Sequence, residues 1–150
     1  MANFLSTFEC KLDAKGRLVL PAKFKAALPE VNGAELILNM DKSGCVEIHP
    51  AADFQRRIMS KISGLDEFDP KAKLLRRALM SRVSEVELDG VGRILVSKKV
   101  LEHAGIEREA LLVGVGKYIE MWNPERFHAT QNDLSEEEEA ELIAKYLSNE

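Results

Sequence analysis

The feature that most constrains this chain is a nine-residue motif that occurs twice. Residues 12–20 read LDAKGRLVL, and residues 88–96 read LDGVGRILV. Both copies place Leu-Asp-x-x-Gly-Arg before three aliphatic residues, and their arginines, Arg17 and Arg93, are 76 positions apart. A repeat of this length indicates a duplicated domain, since solenoid repeats are shorter. An arginine at the same place in each half favours paired binding of a larger partner over catalysis.

The residues around the two motifs predict the same order of elements in each half. Helix 21–28 follows the first motif, and its counterpart is capped by Ser97 and ends at Gly105. The pair Asn32-Gly33 interrupts the chain after the first helix. Alternating apolar residues predict strands at corresponding places: 8–12, 17–20, 35–40 and 44–49 in the first half, and 86–88, 93–96, 110–114 and 117–122 in the second. In each half, the second strand is expected to return along the first as a hairpin.

These elements divide the chain into two units with helices between and after them. The predicted parts are a first unit at 7–54, inter-unit helices at 55–82, a second unit at 83–126 and a C-terminal acidic helix at 127–150. A unit of about 45 residues buries too little apolar surface to be stable alone. We therefore expect the two units to pack on each other.

Three helices are predicted outside the repeated strands. One covers 50–62, and a second begins at Asp69-Pro70 and keeps an apolar face through Val83. The other face of the second helix is basic, and a solvated surface is its simplest interpretation, with a subunit or phosphate contact as the alternative: Lys71, Lys73, Arg76, Arg77 and Arg82. Ser135 and Glu138 form a capping box for the last helix. The apolar stripe of that helix indicates docking against the body or a neighbour: Leu142, Ile143, Tyr146 and Leu147.

The net charge of −4 is unevenly distributed along the chain. Residues 133–150 carry seven acidic side chains and one lysine, whereas residues 1–82 carry 14 basic and 10 acidic ones. Affinity for phosphate depends on the local field, so a basic patch can lie on an acidic protein. The overall charge therefore does not exclude a polyanionic partner.

The sequence contains no signal for catalysis, a cofactor or a membrane. Cys10 and Cys45 are isolated, which excludes a disulfide scaffold and a paired metal site. The three histidines have no metal-ligand spacing: His49, His103 and His128. No serine or cysteine lies in a nucleophile motif, and no stretch approaches the ~20 apolar residues of a membrane span. We expect a cytoplasmic protein without enzyme activity, metal, cofactor, small-molecule substrate or membrane partner.

The repeated motif predicts a tight turn that positions an arginine. The aspartates, Asp13 and Asp89, can accept backbone N–H bonds and pair with the arginine four residues later. The glycines, Gly16 and Gly92, let the backbone bend through a positive φ. The side chain of each aspartate would therefore set the direction of its arginine.

An arginine so held presents a rigid donor fork that suits phosphate or the major-groove edge of guanine. Lys15 adds a second cation to the first turn, whereas Val91 takes that place in the second. The simpler alternative is a surface ion pair that only stabilises the turn. The Asp–Arg pair occurs at matching positions in both halves, which favours a shared binding role over this alternative.

These residues carry a family resemblance. The two copies resemble the swapped-hairpin AbrB (SpoVT-AbrB) DNA-binding domain, whose pattern is Asp-x-x-Gly-Arg-aliphatic-x-aliphatic-Pro. The tandem arrangement, with LDAKGR at 12–17 and EMW at 120–122, is similar to the MraZ family over about residues 1–130. Copy two departs from the domain pattern at Ser97, where proline is usual, and at Val91.

The resemblance implies an α+β fold of two tandem swapped-hairpin units, packed as a pseudo-twofold with flanking helices. It further implies a nucleoid-associated transcriptional regulator that represses its own division and cell-wall gene cluster by binding short direct repeats of double-stranded DNA. A ring-shaped homo-oligomer is implied as well, with the turns on one face. By position, the DNA contacts would be Arg17, Arg93 and, in support, Lys15, while the aspartates and glycines of the motif orient them. The alternative is a protein-interaction module of the same type without DNA binding.

Overall fold

In the computed structural model, the described residues are 3–29 and 35–148. These residues form eight strands: β1 (Thr7–Lys11), β2 (Arg17–Val19), β3 (Glu35–Met40), β4 (Val46–Pro50), β5 (Val83–Glu87), β6 (Arg93–Leu95), β7 (Glu109–Gly114) and β8 (Ile119–Trp122). The same residues form seven α-helices: α1 (Ala22–Ala27), α2 (Ala51–Phe54), α3 (Ser60–Ser63), α4 (Pro70–Met80), α5 (Lys98–Ala104), α6 (Pro124–Thr130) and α7 (Glu136–Leu147). The break predicted at Asn32-Gly33 lies outside the described residues.

Strands from the two copies are interleaved in one antiparallel sheet. Its order is β1-β7-β8-β4-β3-β5, so the first strand of each copy lies at the edge beside the other copy's strand pair. The sheet is symmetric about its centre, where β4 pairs with β8. The predicted α+β fold, with two β units packed as a pseudo-twofold, is confirmed.

The predicted pairing of β1 with β2 as a ladder is wrong. Only an isolated bridge between Leu12 and Leu18 joins the two sides of the turn, and β2 instead pairs antiparallel with β6 of the other copy. Leu18 and Ile94 face each other in this pair and are fully buried. Pairing across the copies lets both side chains enter one shared core. We call the two-stranded sheet of β2 and β6 the central ribbon.

The main core lies between the central ribbon and the inner face of the six-stranded sheet. Alternate sheet residues point into it, as the two-residue period of a strand requires: Leu36, Leu38, Val46, Ile48, Ala110, Leu112, Ile119 and Met121. Helices α1 and α5 close its sides with Phe24 and Val100. A smaller apolar cluster forms on the outer face, where Trp122 packs against Phe127 of α6.

Several helix predictions are confirmed and others need correction. Ser97 caps α5 by accepting the N–H of Val100, and Gly105 ends that helix with a φ of +66°. The helix expected at 50–62 is continuous, but its middle, residues 55–59, is π-helical. The helix expected to reach Val83 ends at Met80, because Val83 already belongs to β5. None of the described helices is long and apolar enough to cross a membrane.

The packing of the core predicts that substitutions at Leu18 and Val19, neighbours in the central ribbon, differ in their effect on stability. Leu18 is fully buried, whereas 57% of Val19 is exposed. Leu18→Ala should lower the free energy of unfolding by about 2–5 kcal/mol, because it opens a cavity beneath the ribbon. Val19→Ala should change it by no more than about 0.5 kcal/mol. Urea denaturation measures both, and equal losses would contradict the described packing.

Candidate functional site

The first turn of the repeated motif is organised around one carboxylate. Oδ1 of Asp13 accepts the backbone N–H groups of Lys15 and Arg17, each at 2.9 Å. Oδ2 accepts Nε of Arg17 at 2.6 Å. The backbone closes the turn with two further bonds, from Asp13 N to Arg17 O and from Gly16 N to Asp13 O, both 3.0 Å. This single carboxylate therefore fixes the bend and the direction of the guanidinium together.

The second turn repeats these contacts almost atom for atom. Oδ1 of Asp89 accepts the backbone N–H of Val91 at 3.0 Å and that of Arg93 at 2.9 Å. Oδ2 accepts Nε of Arg93 at 2.8 Å. Each arginine is bonded to its aspartate through Nε, and within the described residues no hydrogen bond occupies its terminal Nη groups. Those terminal groups are available to a ligand.

The hydrogen bonds to the two carboxylates lower their pKa values. The backbone N–H of Arg17 is the largest cause at Asp13, and its guanidinium adds to the effect. The backbone N–H and guanidinium of Arg93 do the same at Asp89. Both carboxyl groups are solvent-exposed, so the shift describes the charge state of the turn and not a large contribution to stability. Both stay ionised at neutral pH and hold their arginines.

The two glycines of the motif also permit close contact between the copies. Gly16 has a φ of +84°, and a Cβ there would lie 2.9 Å from the backbone oxygen of Val96. Gly92 has a φ of +81°, and a Cβ there would lie 2.6 Å from Nζ of Lys25. A side chain at Gly16 would therefore strain the turn and press against the backbone of the other copy, whereas at Gly92 the positive φ is the main obstacle because the flexible end of Lys25 can move.

The central ribbon brings both arginines to one outer face. Arg17 lies opposite Leu95 and Arg93 opposite Val19, while the residues between them point into the core. Arg17 and Arg93 are therefore diagonal neighbours, a geometry that separates Cα atoms by ~7–8 Å. Their side chains are 33% and 32% exposed. Each arginine is the first residue of its ribbon strand and is bonded to the aspartate of its own turn.

One cation near the site was missed from the sequence. Lys25 of α1 lies against Gly92, whereas its counterpart in the repeat, Leu101, lies against Gly16. Lys15 is exposed in the first turn, where the second turn has Val91. Each turn thus has one lysine beside it, supplied locally in the first case and by the helix of the other copy in the second. Only the folded structure reveals this exchange.

A separate group of polar side chains forms a cluster around His49, on the outer face of the sheet. His49 is buried, stacks on Tyr118 and bonds to Glu47 at 3.0 Å and to Arg57 at 3.1 Å. Glu47 also accepts the amide of Asn39 at 2.9 Å. These side chains satisfy one another's hydrogen bonds, which gives the cluster a structural role.

The two cysteines are free, and they differ in burial. Cys45 is fully buried, and desolvation raises the pKa of its thiol to about 12. Cys10 is half-buried, and burial raises the pKa of its thiol as well. Thiols with raised pKa values are poor nucleophiles. Residues 3–29 and 35–148 contain no group of three or more His, Cys, Asp or Glu side chains that could hold a metal ion.

The turn geometry predicts that alanine lowers the stability of the protein at Gly16 but not at Gly90. Gly16→Ala should destabilise the protein by about 1–3 kcal/mol, because alanine disfavours the positive φ and contacts the carbonyl of Val96. Gly90→Ala is the matched control, since φ there is not positive and a Cβ would meet no atom within 4 Å. It should change stability by no more than about 0.5 kcal/mol. Thermal unfolding of the two variants measures the difference, and equal melting temperatures would refute the geometry.

Acid titration tests the bond between aspartate and arginine. Because the folded pKa of Asp13 is lowered, its contribution to the turn is present above the unfolded value of about 3.9 and is lost as the pH falls through the folded value. Arg17→Ala removes the side-chain bond but keeps the backbone N–H, so the pKa of Asp13 should rise only part of the way. The pKa of Asp89 should stay the same. Carboxyl-detected NMR measures both values, and an unchanged Asp13 would contradict the contact.

Comparison with known proteins places the chain in a family. A family model described as "MraZ protein, putative antitoxin-like" matches it twice, at residues 3–78 and 79–147. The chain is 35% identical to the transcriptional regulator MraZ of Cytophaga hutchinsonii over 99% of this chain and 97% of that protein. It is 37% identical to that of Methylobacillus flagellatus, covering 93% of each, and 32% identical to that of Hydrogenovibrio crunogenus, covering 99% and 98%. The chain belongs to the MraZ family, whose members are transcriptional regulators and not enzymes.

Proposed function

We propose that the chain binds double-stranded DNA through the outer face of the central ribbon. The observation that carries this proposal is the pair of guanidinium groups, Arg17 and Arg93, each held by an aspartate on the same exposed face. A two-stranded ribbon fits the major groove of B-DNA, where arginine can donate two hydrogen bonds to guanine. A diagonal spacing of ~7–8 Å corresponds to about two base-pair steps, so both arginines can reach bases in one groove.

The other residues of the two turns have supporting roles in this proposal. Lys15 and Lys25, which flank opposite turns, would contact phosphates and supply affinity without sequence information. Asp13 and Asp89 orient the arginines, and Gly16 and Gly92 shape the bends. Each bidentate contact with guanine contributes about 1–3 kcal/mol of discrimination between bases. The binding units are then the interleaved segments 7–54 and 83–126.

One ribbon with two arginines and two lysines would bind weakly, which favours an oligomer that presents several ribbons. Linked sites commonly gain 10²–10⁴-fold in avidity when their spacing matches repeated DNA elements. The resemblance to the family supports a closed ring bound to short direct repeats upstream of its own division and cell-wall gene cluster. Regulation there would be repression, and the protein would be found with the nucleoid in the cytoplasm.

The alternative is a protein-interaction module that does not bind DNA. Val19 and Leu95 are 57% and 58% exposed and lie between the arginines, an arrangement that also suits a protein partner. The antitoxin-like description of the family model agrees with this alternative. The two functions differ in salt dependence: DNA binding weakens steeply as salt rises because counterions are released, whereas an apolar protein contact does not.

The proposal predicts the effect of removing one guanidinium. Arg17→Ala should weaken binding to DNA from upstream of the gene by at least about ten-fold, because it removes a base contact and a charge. Gel-shift titration at fixed salt measures the change, and circular dichroism checks that the variant is folded. Arg93→Ala should act in the same direction.

A matched control comes from a different Asp–Arg pair. Arg56 pairs with Asp53 on the helical segment after β4, away from the central ribbon. Arg56→Ala removes the same charge and should leave DNA affinity within about two-fold of the unaltered protein. If Arg17→Ala and Arg56→Ala weaken binding equally, the ribbon is not the contact surface. If neither variant changes the affinity, the DNA proposal fails.

A further inference from the structure

We propose that copies of this chain assemble head to tail through two helices, with α7 of one copy packed against α4 of the next. The inference deepens the assembly part of the proposed function and rests on it, but it is independent of DNA binding. It concerns surfaces remote in sequence from the central ribbon. The partner that packs against each helix is a second copy of this chain.

Helix α4 is attached by one side and presents an apolar and basic face on the other. Arg76 anchors it, with Nη2 donating to the backbone oxygens of Ile62 at 3.3 Å and Leu65 at 3.0 Å. Leu74 and Leu75 are exposed, and Phe68, just before the helix, is 92% exposed. The helix carries four basic side chains and no acidic one. Lone apolar residues on a surface are ordinary, but three large exposed ones lie within eight residues of the chain, at 68–75, which indicates a contact.

Helix α7 is not packed on any described residue of its own chain. All of its residues are exposed, and its hydrogen bonds within the described residues are its own and those of its cap at Ser135. The apolar stripe expected to dock is fully formed, with Tyr146 and Leu147 66% and 71% exposed. The helix carries five glutamates and one lysine, a net charge of −4 against +4 for α4. No ion pair within the described residues neutralises either helix.

The charges and the apolar residues of the two helices fall on matching faces. On α7, Glu136 and Glu139 precede Leu142 at three-residue intervals and therefore share its face. On α4, Lys71 and Arg77 flank Leu74 at the same interval. Each helix thus presents a leucine beside charged side chains. These side chains are acidic on α7 and basic on α4. Packing the two faces together buries both stripes and pairs the charges at their rim.

The repeat explains why the two helices meet between copies. α4 ends the first repeat and leads into β5, at one edge of the sheet, whereas α7 ends the second and follows α6, which packs on β7 near the opposite edge. A pseudo-twofold thus places complementary surfaces at opposite ends of one chain. Such heterologous contacts add copies in one direction and close into a ring when the rotation between copies permits.

Charge reversal tests the pairing without DNA. Sedimentation velocity of the full chain at micromolar concentration should give an assembly much heavier than the 16.8 kDa monomer. Glu136→Lys with Glu139→Lys should weaken self-association by about ten-fold or more, and so should Lys71→Glu with Arg77→Glu. The variant with all four substitutions should assemble again, because each charged pair is restored in reverse. Either parallel or antiparallel packing of the helices satisfies this test.

The matched control reverses two other glutamates of the same helix. Glu137 and Glu141 lie on the opposite face of α7, so Glu137→Lys with Glu141→Lys should leave the assembly intact. A monomeric protein, an equal loss in the control, or a four-fold variant that stays dissociated would each overturn the inference. All are measured without DNA, so these outcomes leave the DNA proposal standing. Loss of DNA binding in Arg17→Ala with unchanged sedimentation would leave the assembly standing.

Discussion

Two backbone hydrogen bonds between the copies join the two halves of this molecule at the repeated turns. The N–H of Val96 donates to the oxygen of Gly16 at 2.9 Å, and that of Leu20 donates to the oxygen of Gly92 at 2.9 Å. Together with the pairing of β2 and β6, these bonds place each turn against the strand that leaves the other turn. Neither copy contains a complete sheet or core by itself. The duplication is therefore one cooperative unit, in which each half supplies the edge strand and part of the ribbon of the other.

The candidate site follows from this interlocking. Because the pseudo-twofold passes through the central ribbon, equivalent arginines from the two copies emerge on one face, a short diagonal apart. The copies have diverged in their lysines, yet Lys15 and Lys25 supply one cation to each turn. A single copy would present one arginine. The same symmetry places α4 and α7 near opposite ends of the sheet. One duplication would therefore supply both the proposed binding face and the proposed surfaces for addition of copies.

Local structure was predictable from the sequence where the controlling residues are neighbours in the chain. The carboxylate of Asp13, the N-cap at Ser97 and the helix end at Gly105 act within four residues, and all are found as the sequence indicates. The partner of β2 was not predictable, because alternation shows which face of a strand is buried and not which strand lies beside it. The same limit hid Lys25, which is distant in sequence from the turn it flanks. The end of α4 was misplaced because Val83 continues the apolar period of the helix although it begins β5.

Methylation protection of guanine tests the central claim most directly. Dimethyl sulfate reacts at N7 in the major groove, where a bidentate arginine would bind. On DNA from upstream of the gene, the unaltered protein should protect guanines at a regular spacing. Arg17→Lys, which keeps the charge but loses the planar fork, should still bind phosphates yet lose that protection. Guanines that stay reactive in the bound complex, or protection that Arg17→Lys leaves unchanged, would contradict recognition by paired guanidinium groups on the ribbon.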